Sequence, residues 1–346
     1  MKRATTLPLA LLLSTPAFAK DDFKICWSIY VGWMPWAYGA EQGIVKKWAD
    51  KYDINIEVVQ INDYIESINQ YSAGGFDACT MTNMDALTIP AAGGVDSTAL
   101  VVGDFSNGND GVVLKGKKSL ADIKGQTVNL VELSVSHYLL ARGLEAVGLK
   151  EADIKVVNTS DADMVAVYGT SDVTAVSTWN PLLSEITAMP KSYKVFDSSK
   201  IPGEIIDLLV VNTDTLAANP KLGKALVGAW YEIMATMSKT DKAGNAARDY
   251  MAVASGTDLA GYNAQLDSTE MFYTPAAALA LTNSDKLVTT MKNVAEFSFD
   301  HGLLGDGAPD AGFIGIEMPA GVYGDKGNIQ FRFNPEYMQM AADGKL

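Results

Sequence analysis

The sequence predicts an α/β fold of two lobes, each built on a doubly wound sheet, joined by two crossovers and followed by a helical C-terminal region. Three observations predict it. Strand and helix patterns alternate over residues 24–105, a polar break follows at Ser106–Gly111, and the alternation resumes up to Asn212. Beyond Asn219 the apolar residues follow helical spacing. We therefore expect one lobe from residues 20–107 plus 213–346 and the other from residues 108–212.

The first lobe is expected to alternate four strands with three helices. Apolar runs predict strands at Lys24–Val31, Ile54–Ile61, Phe76–Thr82 and Ser97–Phe105. Helical spacing predicts helices at about Pro35–Lys51, Tyr64–Ala73 and Met84–Ala92.

The second lobe repeats the pattern after the polar break. Its predicted strands are Gly125–Leu133, Asp153–Ser160, Asp172–Thr178, Tyr193–Ser199 and Glu204–Asn212, and the clearest helix is Ser136–Val147. Helical spacing over Trp230–Met237, Ala246–Ala254 and Pro275–Phe297 predicts the C-terminal region.

The N-terminus has the pattern of a secretory signal peptide over residues 1–19. Lys2 and Arg3 precede a short apolar run that ends in Ala17-Phe18-Ala19, a small-x-small cleavage site. The run is too short to anchor the chain in a bilayer. We expect a monomeric protein, exported to the periplasm, whose mature chain begins near Lys20.

Composition excludes several classes of function. A net charge of −14 argues against binding to nucleic acid or to anionic membranes. No His/Cys cluster has metal-ligand spacing, and nucleotide-binding loops and nucleophile elbows are missing, so neither a metal, a cofactor nor a catalytic residue is expected. Cys26 and Cys79 are the only cysteines; export permits a disulfide between them, and two buried thiols are an equally good interpretation.

Unusual side chains occur where strands end, and open α/β sheets bind ligands beyond the carboxyl ends of their strands. The first such junction carries Tyr30, Trp33 and Trp36 in one short loop. Packing on the lobe surface explains any one of them, but three large aromatic side chains together favour a ligand wall.

The second junction carries Thr82, Asn83 and Asp85. Thr82 or Asn83 is suited to cap the next helix, and Asp85 would lie in its first turn, where the helix dipole favours a carboxylate. Capping and ligand contact are equally good interpretations of Asp85.

The third junction carries Glu132, Ser134 and His137. Glu132 ends an apolar strand and is the strongest ligand candidate of the three. Ser134 is suited either to cap the following helix or to face the cleft. His137 fits a first-turn helix position better than a ligand position.

Two further residues complete the candidate site. Trp179 ends a strand directly before Asn180 and Pro181, which predict a helix start. Asp207 interrupts an apolar strand, where an ionised carboxylate needs a partner. A buried salt bridge and a ligand contact both satisfy that need.

Several motifs carry a family resemblance over nearly the whole mature chain. The order of the aromatic loop, Gly74–Ala78 (G-x-F-D-A), Ser119–Gly125 (S-L-A-D-I-K-G), Ser134–His137 (S-x-S-H) and Thr178–Pro181 (T-W-N-P) resembles the ABC-importer solute-binding proteins for nitrate, sulfonates, taurine and thiamine-pyrimidine precursors. Within them the chain most resembles the branch associated with urea carboxylase-type enzymes, linked to urea and guanidine. The resemblance implies a bilobal type II periplasmic-binding-protein fold, and an ABC permease and ATPase as partners.

The residue types favour a cationic ligand over the anions of those relatives. Carboxylates accept the edge N–H groups of guanidinium, and aromatic faces attract its charge. Urea, another small amide or amine, and a taurine-like molecule remain alternatives. So do two other classes: a pyrimidine-precursor synthase on the same fold, which consumes its own histidine, and a sensing subunit for a receptor.

Overall fold

A computed structural model describes residues 21–346, and the predicted signal peptide lies outside that range. The described residues form a nine-stranded sheet and a five-stranded sheet, which confirms the prediction of two α/β lobes. In chain order the strands are β1 Asp21–Trp27, β2 Ile54–Gln60, β3 Ala78–Thr82, β4 Ser97–Ser106, β5 Asp110–Lys115, β6 Thr127–Leu130, β7 Lys155–Asn158, β8 Ala175–Trp179, β9 Ser192–Asp197, β10 Ile206–Asn212, β11 Thr269–Met271, β12 Gly315–Met318, β13 Gly321–Tyr323 and β14 Ile329–Phe333.

Helices cover the faces of both sheets and make up most of the chain after residue 213. In chain order they are α1 Met34–Glu41, α2 Ile44–Lys51, α3 Tyr64–Ser72, α4 Asn83–Ala86, α5 Val135–Ala146, α6 Asp161–Tyr168, α7 Leu182–Ala188, α8 Thr213–Ala218, α9 Pro220–Met237, α10 Lys242–Ala254, α11 Leu259–Leu266, α12 Pro275–Thr282, α13 Asp285–Asp300 and α14 Glu336–Ala342. One π-helical turn, Leu87–Ala91, follows α4.

Both sheets are mixed rather than wholly parallel. The larger sheet has the order β13-β12-β14-β4-β10-β3-β1-β2, with β11 paired to β4, and the smaller has the order β7-β6-β8-β5-β9. β10 is antiparallel to β3 and β4, and β5 is antiparallel to β8 and β9. Each of these strands enters its sheet directly from the other lobe, so no crossover helix turns it parallel to its neighbours.

The chain passes between the lobes twice, and the second passage lies earlier than the sequence predicts. The first passage joins β4 to β5 through residues 107–109, and the second joins β9 to β10 through residues 198–205. The predicted boundary after Asn212 is wrong because β10 is hydrogen-bonded into the first lobe's sheet. The passages contact each other: the hydroxyls of Ser106 and Ser198 lie 2.6 Å apart, and the Gly108 N–H donates to Ser198 at 2.7 Å.

Two other predictions need correction. The helix expected at about Pro35–Lys51 is two helices, because Gly43 takes the left-handed conformation at φ 70° and ends the first of them. The C-terminal region is helical as predicted, but it also returns to the first lobe. There β14 pairs with β4, and β12 and β13 extend the sheet beyond it.

Cys26 and Cys79 form a disulfide inside the first lobe. They lie directly opposite each other on the parallel strands β1 and β3, and both are fully buried. The bond therefore ties together two neighbouring strands that carry loops of the first lobe towards the second.

Removing this disulfide is expected to lower the free energy of unfolding by about 4 kcal/mol, because a cross-link across 53 residues restricts the unfolded chain. Cys26→Ala with Cys79→Ala should show this loss in urea denaturation followed by circular dichroism. Wild-type protein in reductant serves as the comparison, since it loses the cross-link without changing a side chain. Equal stability of oxidised and reduced wild type would contradict the prediction.

Candidate functional site

A cavity lies between the two sheets, where the carboxyl ends of β1, β3 and β8 approach one another. About 20 Å³ of it is open to the centre of a water molecule, so it suits a ligand of a few non-hydrogen atoms. Its lining residues come from both lobes: Tyr30, Trp33, Tyr64, Thr82, Asp110, Val135, Trp179, Ile205 and Asp207.

The loop between β1 and α1 brings Tyr30 and Trp33 to the cavity. Tyr30 donates its hydroxyl to Asp104 Oδ1 at 2.9 Å, which ties the loop to β4. Gly32 permits this approach, because a Cβ at that position would lie 2.3 Å from Asp104 Oδ2. A side chain at residue 32 would therefore displace the Asp104 carboxylate.

Three aspartates gather at the point where the chain passes between the lobes. Asp207 on β10 lies opposite Asp104 on β4 in the antiparallel register. Asp110 begins β5 and accepts a hydrogen bond from the Ser106 hydroxyl. Within residues 21–346, no donor group reaches Oδ2 of Asp104 or Oδ2 of Asp207, both of which are buried. The two carboxyl groups can instead share a proton with each other.

A fourth aspartate, Asp85, is buried next to the cavity and contacts two of its lining residues. Asp85 Oδ2 accepts hydrogen bonds from the Tyr64 hydroxyl at 2.6 Å and from the Thr82 hydroxyl at 2.8 Å. Thr82 also caps α4 by accepting from the Asp85 N–H. Asp85 thereby fixes the orientation of two side chains that line the cavity, and its own Oδ1 has no partner among the described residues.

The four aspartates have raised pKa values. Burial raises the pKa of Asp104 and of Asp110 to about 7 and that of Asp85 to about 6. Burial, and then repulsion from Asp104 and Asp110, raise the pKa of Asp207 well above its usual range. None of the ion pairs in residues 21–346 joins a lysine, arginine or histidine to these groups. The site therefore holds negative charge that a proton or a cationic ligand has to offset.

Four aromatic rings enclose the same space. The ring centroids lie 4.9 Å apart for Tyr30 and Trp33, 5.5 Å apart for Trp33 and Tyr64, and 5.9 Å apart for Tyr64 and Trp179. Trp179 belongs to the second lobe and the other three to the first, so the rings close across the cleft. Buried carboxylates combined with aromatic faces form an environment suited to a small organic cation.

The structure brings five of the predicted site residues together at the cavity: Tyr30, Trp33, Thr82, Trp179 and Asp207. Asp85 contacts two lining residues rather than the cavity itself. Asp85 has both a helix role and a site role, because it lies in the first turn of α4 and also holds the Tyr64 and Thr82 side chains in place.

Three predicted residues have structural contacts instead. Trp36 packs in the core of the first lobe, its ring centroid 5.3 Å from that of Trp230. Asn83 joins α4 to β10 by accepting from the Ile206 N–H at 3.0 Å. Ser134 caps α5, accepting from the Ser136 N–H at 3.2 Å. None of the three lines the cavity.

Glu132 lies outside the cavity, on an exposed wall of an open groove between the lobes. The groove also carries Asp63, Glu66 and Asp161. Strand β6 ends at Leu130, so Glu132 lies beyond the strand, in the turn before α5. The carboxylates that do line the cavity are Asp110 and Asp207.

His137 is buried in α5 but faces away from the cavity. Its Nε2 lies 3.2 Å from Glu151, and the ring centroid of His301 is 5.3 Å away. Both histidines of the chain therefore belong to one cluster outside the candidate ligand site.

The sequence analysis missed Tyr64, Asp104 and Asp110. Asp104 had a usable signal, because it interrupts the apolar strand β4 just as Asp207 interrupts β10. Asp110 lies in the segment that was interpreted as a polar break, and its role depends on the passage between the lobes. Tyr64 begins a helix and carries no local sign of its contact with Asp85.

Comparison with known proteins finds a matching family, and several relatives that are named as binding proteins. A sequence model of the NMT1-like family matches residues 27–251. A protein of Brucella abortus (strain 2308), named as a binding protein, is 24% identical over 240 residues, covering 66% of this chain and 72% of its own length. The taurine-binding periplasmic protein of Escherichia coli (strain K12) is 25% identical over 130 residues, which are 36% of this chain and 40% of that protein.

A solved structure shows the same fold. The alkanesulfonate-binding protein SsuA from Xanthomonas axonopodis pv. citri, bound to MOPS, matches with a TM-score of 0.69 at 16% identity, covering 84% of this chain and 96% of that one. This likeness confirms the predicted bilobal periplasmic-binding-protein fold. Among residues 21–346, no helix combines the length and the apolar character needed to cross a membrane.

Proposed function

This chain belongs to the NMT1-like family, and from that premise we propose that it is an extracytoplasmic solute-binding protein whose ligand is a small cation, guanidinium first. It would deliver that cation to an ABC permease and ATPase. The observation that carries the proposal is a cavity lined by Asp110 and Asp207 and by four aromatic rings, with no cationic side chain paired to the carboxylates among the described residues.

The size of the cavity supports guanidinium within the class of small cations. A cavity with about 20 Å³ open to the centre of a water molecule can hold an ion of one carbon and three nitrogens. Carboxylates from the two lobes can accept N–H groups along its edge, as carboxylates do from arginine. A tryptophan face over the ion contributes roughly 0.5–2 kcal/mol of cation–π attraction.

An anionic ligand fits the site less well. The N-terminus of α5 begins at Val135 on the cavity wall and carries about half a positive charge. Asp110 and Asp207 each supply a full negative charge when ionised, and Asp104 adds a third close by. Their raised pKa values keep these carboxyls protonated in the ligand-free site until the pH rises, so a sulfonate such as the ligand named for the taurine-binding relative would be repelled once they ionise.

Urea is the second candidate, because Trp33 offers a donor without a partner. Its indole Nε1 is buried and makes no hydrogen bond within residues 21–346. A carbonyl oxygen would accept from it, whereas guanidinium has no acceptor to offer. Urea would not offset the charge of the carboxylates, so it ranks below the cation.

Other features support a binding role outside the cytoplasm. The Cys26–Cys79 disulfide suits an oxidising compartment such as the periplasm, which agrees with a signal peptide over residues 1–19. Neither histidine of the chain lines the cavity, which weighs against an enzyme that consumes an active-site histidine. The relatives reported above are named for binding rather than for a reaction.

Calorimetry with guanidinium, methylguanidinium, urea, taurine and nitrate side by side tests the proposal. We expect guanidinium to bind most tightly, methylguanidinium more weakly because its methyl group overfills the cavity, and taurine and nitrate not at all. Sodium chloride at the same concentration controls for ionic strength. Tighter binding of urea would replace the cation with the second candidate, and tighter binding of taurine or nitrate would contradict a cationic ligand while leaving the binding-protein role intact.

A further inference from the structure

A second group of ligand-type side chains lies at the junction of the two lobes, apart from the cavity. His137 in α5 and Glu151 just before β7 belong to the second lobe, whereas His301 follows α13 in the first. One candidate ligand atom from each lies within 4.8 Å of the other two. The chain thus brings both of its histidines and a carboxylate together from three distant positions.

The spacing of these atoms is close to that of a metal site. Glu151 Oε1 lies 3.0 Å from His301 Nε2 and 3.2 Å from His137 Nε2. Zinc bonds to nitrogen and oxygen of about 2.0–2.2 Å separate tetrahedral ligand atoms by roughly 3.3 Å. The carboxylate already satisfies that spacing with each imidazole, so mainly the two histidines would have to approach each other.

The His301 ring has the orientation of a metal ligand. Its Nδ1 lies 2.8 Å from the Phe297 carbonyl, which accepts the Nδ1 proton and leaves Nε2 directed into the cluster. Metal-bound histidines commonly donate their other ring nitrogen to a backbone carbonyl in this way. The Phe297 ring, 4.0 Å from the His301 ring between centroids, holds the imidazole in place.

His137 supplies the independent observation. It is only 4% exposed, and its Nε2 lies 3.2 Å from Glu151 Oε1 without meeting good hydrogen-bond geometry. A buried imidazole nitrogen that faces a carboxylate becomes a metal ligand when an ion displaces its proton. Coordination through Nε2 would release the part-buried bond that the Leu133 N–H donates to His137 Nδ1, and water can replace that bond.

We propose that His137, Glu151 and His301 form a site for a divalent transition metal, zinc first, which ties the two lobes together. Two imidazoles and one carboxylate are a ligand set that zinc uses with a water in its fourth position. Because both lobes contribute ligands, the metal binds best to the arrangement in which they meet and stabilises it by mass action. Local sequence spacing gives no sign of this site, because its residues lie 14 and 150 positions apart.

The test uses EDTA-treated protein without a histidine tag. Calorimetry with zinc chloride is expected to show one ion per chain, and His301→Ala should weaken that binding at least about a hundredfold. Cobalt chloride should give the visible absorption of a tetrahedral site in wild type and lose it in His301→Ala. Glu145→Gln is the matched control: it removes a neighbouring exposed carboxylate outside the cluster and should leave zinc binding unchanged.

The outcomes separate this site from the ligand cavity. Asp207→Asn should keep zinc binding, and His301→Ala should keep the calorimetric guanidinium isotherm to within a few-fold. Absence of zinc binding, or zinc binding that survives both His301→Ala and His137→Ala in folded protein, would overturn the metal site. Small-angle scattering tests whether the metal holds the two lobes together. Zinc should lower the radius of gyration of ligand-free protein, and an unchanged radius with zinc bound would contradict the proposed link between the lobes.

Discussion

Asp207→Asn is expected to abolish high-affinity guanidinium binding while leaving the fold intact. The substitution keeps the shape of the side chain and removes one of the two carboxylates that line the cavity. Truncating one partner of a buried charge pair costs about 2–5 kcal/mol, which raises Kd roughly thirty-fold to several thousand-fold. Asp110→Asn should have a similar effect from the opposite lobe, since it lines the same cavity.

Glu132→Gln is the matched control for this experiment. It makes the same change of charge on the exposed groove wall, so guanidinium affinity should stay within about threefold of wild type. Ligand-free Asp207→Asn should melt no lower than wild type, because the substitution removes repulsion between buried carboxylates. If Asp207→Asn binds as tightly as wild type, or Glu132→Gln loses binding, the ligand is held by different residues from those proposed.

The second large effect is a dependence on pH. The folded, ligand-free protein binds protons on Asp104 and Asp110 below about pH 7, whereas the unfolded chain binds them only near pH 4. The contribution of these groups to stability is therefore present at low pH and is lost as the pH rises through 4 to 7. Guanidinium competes with those protons, so its affinity should rise as the pH rises.

For one proton displaced from a group with pKa about 7, Kd should rise roughly a hundredfold between pH 8 and pH 5. Calorimetry in buffers of different ionisation enthalpy would also count the protons released on binding. Thermal melting should show a larger stabilisation by guanidinium at pH 8 than at pH 5. The Asp110→Asn variant is the control and should melt with a shallower pH dependence; a pH-independent Kd in wild type would contradict displacement of protons from these carboxylates.

Most of the fold follows from local sequence pattern. Apolar runs identify the strands β1 to β4, and helical spacing identifies α3 and α5, all to within a few residues. The predicted helix Trp230–Met237 covers only the second half of α9. The lobe to which β10 belongs did not follow, because its apolar run is the same whether the strand pairs in the first lobe or the second. Its hydrogen bonds to β3 and β4 decide the matter, and they depend on contacts far apart in the chain.

Part of the candidate site could likewise be predicted from the sequence, and part could not. Tyr30 and Trp33 could be predicted because aromatic side chains cluster in a single loop, and Asp207 because a carboxylate interrupts an apolar strand. Glu132 obeys the same reasoning as Asp207 but lies beyond the end of its strand, where it is exposed. A residue's position at a strand end therefore indicates the right region, whereas the direction of its side chain depends on where that strand stops.

The two passages between the lobes have a mechanical consequence, because Asp104 and Asp110 flank the first and Asp207 lies just beyond the second. If one lobe rotates about these passages, atoms close to the passages move least and atoms far from them move most. The carboxylates would then keep their mutual distances while the groove around Glu132 widens. A fluorophore attached at exposed Leu133, on the wall of that groove, would report opening without touching the charges that hold the ligand.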